Sequence, residues 1–389
     1  MLLPLQGIKV LDLSRLLPGP FCSMILADFG AEVWKVEDTD LGDYMREIPG
    51  LDASYRILNR NKRSISLNLK TEEGQQVFYR LVREADIVLE QFRPGVAGRL
   101  GISYEDLRQI NSRLIYCSLT GYGQTGPRAK QAGHDLNYIA LAGLLGLCGG
   151  PEGPPALPAV QIADIAGGGL WSAVAILLAI LARQNTGAGQ YIDVSMLDGT
   201  ISLLALAGAQ FFAGGNAPHR GESTLSGSFA CYSVYETADG MYLTLGALEE
   251  KFWAEFCRRV NHPEWTAEQF APEPRRGELR SEVAALFRDK TRLEWLEFFQ
   301  NADICLAPVY SLDEMAGDPH VQARQILQKV KMTDGGPGWQ LGMPVKLSQT
   351  PGTIRSSAPE WGEHTEELLH YLGYDLKEIK LLKQKGIIR

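Results

Sequence analysis

The fold is decided by residues 8–36, IKVLDLSRLLPGPFCSMILADFGAEVWKV, in which two short apolar runs flank a helical segment. The first run, Ile8 to Leu13, and the second, Glu32 to Val36, are rich in β-branched residues and predict strands. Similar runs follow over the first third of the chain, at Ser64 to Leu69, Asp86 to Leu89 and Leu114 to Leu119. Strands that alternate with helical stretches predict a parallel sheet with crossover helices, that is, a Rossmann-like α/β domain.

The turn between the first two predicted strands carries Pro18-Gly19-Pro20. A dinucleotide-binding protein usually places its G-x-G-x-x-G fingerprint there, because those glycines let the backbone approach a pyrophosphate. The fingerprint is absent from this turn, which argues against nicotinamide chemistry.

The chain is long enough for two domains, since 389 residues exceed what one hydrophobic core usually serves. After a Gly-, Ser- and Thr-rich stretch the pattern changes to a hairpin, Phe229 to Tyr235 and Met241 to Leu245. We therefore predict a large Rossmann-like domain and a smaller α+β domain, with a single oversized domain as the alternative. The predicted boundaries are a large domain at 1–200 that is rejoined by 335–389, a linker at 201–225, a small domain at 226–320 and a return linker at 321–334.

Charge and cysteine usage exclude several classes of protein. The 38 Lys and Arg against 46 Asp and Glu give a net charge of −8, which argues against a duplex-DNA partner. The six cysteines are scattered, without a C-x-x-C pair or a nearby His at metal-ligand spacing, so we expect reduced thiols and no metal site.

The segment from Met1 to Ile8 lacks the features of a signal peptide, which favours a cytoplasmic protein. A stretch without charges, Ile165 to Ala182, is borderline for a membrane span. Three glycines near its start and an Asp before it favour a buried core helix that ends at Gly187, and no membrane partner is expected.

A basic cluster lies between Leu51 and Thr71, where Asp52 is the single acidic residue. Its members are Arg56, Arg60, Lys62, Arg63 and Lys70. The cluster is either a solvated strand edge or an anion site. The segment Gln91 to Gly95, with Arg99 nearby, follows the next strand at its carboxyl end, where open α/β sheets bind ligands, and this favours a phosphate-bearing ligand.

Three further segments hold residues that can carry chemistry. Gly133-His134-Asp135 places an imidazole beside a carboxylate at the start of an apolar helical stretch, although a lone His is usually structural. Asp164 precedes the triplet Gly167-Gly168-Gly169 and is either a helix N-cap or a functional carboxylate. Glycine is expected where another backbone or a ligand approaches closely. Glu249, after the hairpin, has an ordinary explanation at an exposed helix start.

Several motifs together resemble the class III CoA-transferase family, in particular its α-methylacyl-CoA racemase branch. The motifs are LQGIKVLDL at 5–13, NRNKRS at 59–64, FRPG at 92–95, GHDLNY at 133–138, YGQTGP at 122–127, TGAGQ at 186–190 and GEHT at 362–365.

The resemblance implies an acyl-CoA ligand on the large domain, no covalently bound cofactor, and a homodimer whose chains interlock. The implied CoA contacts are Leu67, Asn68, Leu69, Lys70, Gln91, Phe92, Arg93, Arg99, Gly133, Asn137 and Tyr138. This chain has Asp38 where racemase relatives carry an Arg for the nucleotide. Lys35, Arg15 or Arg60 are the candidates to replace that Arg.

The family offers two chemistries that share Asp164. In a transferase this carboxylate is the nucleophile that becomes an aspartyl-CoA thioester. In a racemase Asp164 and His134 are two bases on opposite faces of the α-carbon, the backbone N–H of Asp135 holds the enolate oxygen, and Glu249, from the partner chain, orients His134. His134, and the absence of a four-glycine loop at 226–229, favour the racemase. A transferase, a dehydratase-like enzyme and an inactive acyl-CoA-binding module are the alternatives.

Overall fold

The computed structural model describes residues 2–331 and 336–389. The strands are β1 Lys9–Asp12, β2 Glu32–Glu37, β3 Lys62–Ser66, β4 Ile87–Glu90, β5 Ile115–Thr120, β6 Tyr191–Ser195, β7 Tyr232–Glu236, β8 Tyr242–Gly246, β9 Leu306–Pro308, β10 Leu327–Lys331 and β11 Pro337–Leu341. The α-helices are α1 Pro18–Asp28, α2 Asp52–Leu58, α3 Glu72–Glu84, α4 Val96–Arg99, α5 Tyr104–Leu107, α6 Asp135–Leu141, α7 Trp171–Thr186, α8 Met196–Ser202, α9 Ala205–Phe212, α10 Glu250–Arg259, α11 Arg275–Phe287, α12 Arg292–Phe298, α13 Leu312–Gly317, α14 Pro319–Ala323, α15 Thr365–Tyr371 and α16 Leu376–Gln384.

The chain forms two compact units, the first from residues 1–142, 159–203 and 320–389 and the second from 143–158 and 204–319. The boundaries of the two autonomous domains stay a prediction. Residues 332–334 of the predicted return linker and residue 335, where the chain is predicted to rejoin the large domain, lie outside the described residues.

The first unit is built on a sheet of six parallel strands in the order β3-β2-β1-β4-β5-β6. This confirms the predicted α/β class. The strand order reverses between β1 and β4, and ligands of such sheets bind beyond the carboxyl ends of the strands at that point. Each of the five predicted strands corresponds to an observed one. The sequence pattern did not predict β6, a strand at the sheet edge whose first residues are exposed or half-buried.

A helix of 24 residues, Ala163–Thr186, begins with a π-helical segment at Ala163–Leu170 and continues as α7. It ends at Gly187 in the left-handed conformation, φ 74°, so the predicted C-cap is confirmed. Its length and its apolar composition suit a membrane-crossing helix, and core helices of soluble proteins share both properties. The predicted core helix is buried on one side, whereas Leu178 and Leu181 are 61% and 57% exposed.

The second unit contains an antiparallel sheet in the order β7-β8-β9, and the predicted hairpin is its first strand pair. The helices α10, α11 and α12 follow the hairpin, as an α+β domain requires. They enclose an aromatic core that includes Trp253, Phe256, Phe287 and Trp295, all fully buried.

Candidate active site

The backbone at Asp164 is held by a second carboxylate, that of Asp135 on the first turn of α6. Asp135 Oδ1 accepts hydrogen bonds from the backbone N–H groups of Ala163, at 2.6 Å, and of Asp164, at 3.0 Å. The N-cap position of the π-helical segment is Ile162, and its side chain makes no capping hydrogen bond. The N-cap interpretation of Asp164 is therefore wrong, because Asp135 does the capping. No hydrogen bond between described residues ends on the Asp164 carboxylate.

The glycine triplet after Asp164 is explained by packing of backbone on backbone. A Cβ atom at Gly167 would lie 2.6 Å from the carbonyl oxygen of Met196, and one at Gly169 would lie 2.8 Å from that of Pro18. The triplet therefore lets α8 and α1 approach the π-helical segment. Because Asp135 already occupies the N–H groups of Ala163 and Asp164, the start of this segment does not offer them to a substrate oxyanion.

The charge state of Asp164 depends on its surroundings. Burial, and the nearby carboxylate of Asp135, raise the pKa of Asp164 to about 7. The pKa of the neighbouring Tyr138 phenol is also raised, to about 12, by burial and by the charge of Asp164. A carboxylate with a pKa close to neutrality suits either proton transfer or nucleophilic attack at physiological pH.

A cleft of about 270 Å³ brings half of the predicted catalytic and binding residues of the first unit together. Its predicted members are Gln91, Phe92, Arg93, Gly133, His134, Tyr138 and Asp164. His134 is exposed at the N-cap of α6, and its backbone N–H donates to Asn137 Oδ1 at 3.0 Å. Asn137 thus fixes the start of α6 rather than lining the cleft.

Two hydroxyl groups that the sequence analysis did not single out also belong to this cleft. Thr120, the last residue of β5, and Tyr122 both line it, and their hydroxyl oxygens are buried without any hydrogen-bond partner within the described chain. The Tyr122 and Tyr138 rings pack edge to face at 5.1 Å. A buried hydroxyl without a partner costs about 1 to 3 kcal/mol, so a bound ligand is a reasonable partner for each. The available signal was their position directly after a predicted strand.

The segment from Gln91 to Arg99, called the β4 loop here, follows β4 and includes the short helix α4. Glu90 fixes the start of this segment, which carries two arginines without ion-pair partners among the described residues. Glu90 accepts hydrogen bonds from the Ser118 hydroxyl and, at 2.6 Å, from the backbone N–H of Phe92. Burial raises the pKa of Glu90 to about 7, although these two hydrogen bonds oppose the shift. Arg93 and Arg99 are exposed, and neither forms an ion pair with a described residue. The loop therefore presents two uncompensated positive charges.

A second, smaller cleft of about 80 Å³ lies at the ends of β1, β2 and β3 and shares Phe92 with the first. The predicted nucleotide contacts Leu67, Asn68, Leu69 and Lys70 line it, together with Arg15, Asp38 and Asp40. Leu67 is buried, whereas the Lys70 side chain is 74% exposed and its Nζ lies 3.5 Å from Asp40 Oδ2.

Most residues of the predicted basic cluster form ion pairs. Arg60 pairs with Asp28 at 2.7 Å and Lys62 pairs with Asp12 at 3.1 Å, and all four side chains are buried. Arg63 pairs with Glu32 and Glu367. These acids lie far from the cluster in sequence but neutralise three of its five cations in the fold. The cluster as a whole is therefore not a free anion site.

The same ion pairs decide among the residues considered as replacements for the family Arg. Lys35 is buried against Asp43 at 2.9 Å, and Arg60 is buried against Asp28, so neither reaches the cleft. Both expectations are wrong. Arg15 lines the smaller cleft, where it pairs with Asp38 at 2.7 Å.

Glu249 lies in the second unit, as the exposed N-cap residue of α10. Its side chain makes no capping hydrogen bond. The orienting role of Glu249 toward His134 stays a prediction.

Comparisons with known proteins identify the family of the chain. Residues 5–365 match the family described as CoA-transferase family III. The chain is 37% identical to the α-methylacyl-CoA racemase of Homo sapiens, over 99% of this chain and 97% of that protein. It is 33% identical to the succinyl-CoA:glutarate CoA-transferase of Mus musculus, over 99% of this chain and 90% of that protein. The crystal structure of a CAIB/BAIF family protein from Brucella suis superposes with a TM-score of 0.83 and 32% identity, covering 96% of this chain and 100% of that one.

Proposed function

Because the chain belongs to CoA-transferase family III, we propose that it is a racemase that inverts the α-carbon of 2-methyl-branched acyl-CoA thioesters through an enolate. The predicted family is confirmed, and so is the prediction of an enzyme that is either racemase-like or a class III CoA-transferase. The choice between these two activities is the proposal.

One observation carries the proposal: the unbonded carboxylate of Asp164, with its pKa raised to about 7, shares a cleft with the imidazole of His134. Inversion needs one group that removes the α-proton from one face and another that returns a proton to the opposite face. In this assignment Asp164 and His134 exchange those two roles, according to which enantiomer is bound.

The acidity of the α-proton sets the energetic problem. With a pKa on the order of 20 for the α-carbon and about 7 for the base, the gap of about 13 units corresponds to roughly 18 kcal/mol. A base alone does not close this gap, so donors must hold the enolate oxygen. We assign this to the backbone N–H of Asp135, at the first turn of α6. The hydroxyl groups of Thr120 and Tyr122, which line the cleft of His134 and Asp164, are further donors.

The proposal places the CoA moiety along the carboxyl ends of the strands. Arg93 and Arg99 would hold the pyrophosphate, because they are the cations of the β4 loop without acidic partners among the described residues. Leu67 to Lys70 would contact the nucleotide end in the smaller cleft. No covalently bound cofactor takes part in this scheme.

We also propose a cytoplasmic, interlocked homodimer in which Glu249 of one chain orients His134 of the other. Exposed apolar side chains support a partner surface of this kind, since Leu178 and Leu181 of α7 and Phe212 of α9 are mostly uncovered in one chain. A second copy would bury them.

A class III CoA-transferase is the second candidate. The same carboxylate of Asp164 would attack the thioester carbonyl of an acyl-CoA and displace the CoA thiolate, which leaves a mixed anhydride. The thiolate would then attack the aspartyl carbonyl and release the free carboxylate, so that Asp164 carries CoA as a thioester. The similarity to a succinyl-CoA:glutarate CoA-transferase supports this candidate nearly as well as the similarity to a racemase supports the first.

The test is incubation of the enzyme with one enantiomer of a 2-methylacyl-CoA in deuterated water, without an acid acceptor. The racemase proposal predicts deuterium at the α-carbon together with loss of optical purity. Incubation of the same thioester without enzyme is the control for exchange by the solvent alone. Transfer of CoA to an added acid without α-exchange would contradict the proposal and favour the transferase.

A further inference from the structure

The two ends of the proposed CoA site differ in their charge balance. At the β4 loop, Arg93 and Arg99 have no acidic partner in the described part of the chain. At the ends of β2 and β3, each cation of the smaller cleft has one: Arg15 pairs with Asp38, and Lys70 pairs with Asp40. The site is therefore positive toward the pyrophosphate and nearly neutral toward the ribose.

The pair of Arg15 and Asp38 is fixed by the backbone. Asp38 Oδ1 accepts hydrogen bonds from the N–H groups of Asp40, Leu41 and Gly42, at 3.0, 2.7 and 3.1 Å, while Oδ2 accepts from Arg15 at 2.7 Å. Asp38 cannot turn away without releasing the loop at 40–42. It thus both neutralises Arg15 and holds the loop that presents Asp40.

The pair of Lys70 and Asp40 is open to solvent. Their side chains are 74% and 70% exposed, with 3.5 Å between Nζ and Oδ2. A phosphate that approaches Lys70 meets the charge of Asp40 at nearly the same place, so attraction and repulsion largely cancel. The deeper cations Lys35, Arg60 and Lys62 are buried with Asp partners and do not reach the cleft.

We propose that Asp40 makes this end of the site indifferent to the ribose phosphate of CoA, so that the enzyme takes dephospho-CoA thioesters as readily as CoA thioesters. This inference rests on the proposed function, because it requires the nucleotide of an acyl-CoA in the smaller cleft. It makes Asp40 a specificity-determining residue. It also extends the substrate class to acyl thioesters of dephospho-CoA, which is CoA without the phosphate on its ribose.

Binding of the free nucleotides tests the proposal without depending on turnover. Isothermal titration of the full-length protein with CoA and with dephospho-CoA should give dissociation constants within about threefold of each other. Asp40→Asn frees Lys70 and should favour CoA over dephospho-CoA by a further factor of about 1.4 to 5, the range of an exposed ion pair. Rising salt should diminish that gain. Glu105→Gln, which removes an exposed acid paired with Arg108, is the control with the same change in net charge.

The outcomes separate this inference from the proposed function. Binding of CoA at least tenfold more tightly than dephospho-CoA by the unmodified protein would overturn the inference alone. An unchanged preference in Asp40→Asn would remove Asp40 from the specificity of the site. Binding of neither nucleotide would overturn the inference and the proposed function together.

Discussion

Asp135 Oδ1 accepts the backbone N–H of Asp164 at 3.0 Å, so one carboxylate both positions the other residue and acts on its charge. The hydrogen bond fixes the turn on which Asp164 stands. The negative charge of Asp135 adds to burial in raising the pKa of Asp164 to about 7. The two effects are separable, because an amide oxygen accepts the same hydrogen bonds without the charge.

Asp135→Asn should therefore move the pH dependence while keeping the fold. The transferase needs ionised Asp164, and so does the racemase when it acts on the enantiomer whose α-proton Asp164 removes, so the measurement uses that enantiomer. The raised pKa of Asp164 means that the ionised form predominates above about pH 7. The acidic limb of kcat/KM should thus lie near pH 7 in the parent enzyme and up to about one unit lower in Asp135→Asn. Glu105→Gln is the control for net charge. A limb that stays in place would show that Asp135 does not act on the ionising group.

The strands β1 to β5 could be predicted from sequence because each is a short apolar run that local composition reveals, whereas the partly exposed β6 could not. The ion-pair partners of charged residues could not be predicted in this way. Arg60 and Lys62 stand in a segment with one local acid, yet Asp28 and Asp12, which lie 32 and 50 residues earlier, neutralise them inside the first unit. Only the folded sheet brings those positions together. The cluster thus indicated an anion site at residues that instead form buried ion pairs.

The candidate site shows the same limit. His134 and Asp164 were identified from their motifs, and the structure places both at one cleft. The capping role of Asp135 was not foreseen, because capping residues normally lie beside the helix they cap and Asp135 lies 29 residues away. Tyr122 belongs to the YGQTGP motif, which assigns no role to its hydroxyl, because nothing in a sequence shows that a hydroxyl will be buried without a partner.

Arg93→Ala should weaken CoA binding by about 10- to 100-fold, because a charged phosphate contact contributes roughly 1.5 to 3 kcal/mol. Isothermal titration measures the effect. Arg108→Ala is the matched control, since Arg108 is also an exposed Arg but pairs with Glu105 on α5. If both variants bind CoA as the parent protein does, Arg93 is not part of the site.

Tyr122→Phe should lower activity without lowering stability. The Tyr122 hydroxyl has no described partner to lose, so its removal from the free protein should leave the melting temperature unchanged or raise it. If the hydroxyl holds the enolate oxygen, kcat should fall by about tenfold or more. Tyr138→Phe is the contrasting variant, because its hydroxyl donates to the carbonyl oxygen of Gly133 at 2.6 Å and its loss should cost stability. Full activity in Tyr122→Phe would exclude that hydroxyl from the reaction.

The proposed homodimer should sediment as a dimer at micromolar concentration, with a melting temperature that rises with protein concentration. Leu178→Glu puts a charge on the exposed side of α7 and should reduce assembly or lower that melting temperature. Leu376→Glu, on α16, changes a comparably exposed leucine, 71% against 61%, away from the proposed surface. A folded monomer of the parent protein at micromolar concentration would contradict the dimer.

His134 and Asp164 should separate the two candidate activities when each is replaced. In a racemase, His134→Ala and Asp164→Asn should each lower solvent deuterium exchange by about 10² to 10⁴, because each removes one of two bases, while CoA binding stays nearly intact. In a transferase, Asp164→Asn should abolish CoA transfer, since it removes the nucleophile, and His134→Ala should have a mild effect. Peptide mass spectrometry after trapping with hydroxylamine or borohydride during turnover adds an independent readout. An adduct on Asp164 would defeat the racemase assignment, whereas deuterium at the α-carbon without an adduct would support it.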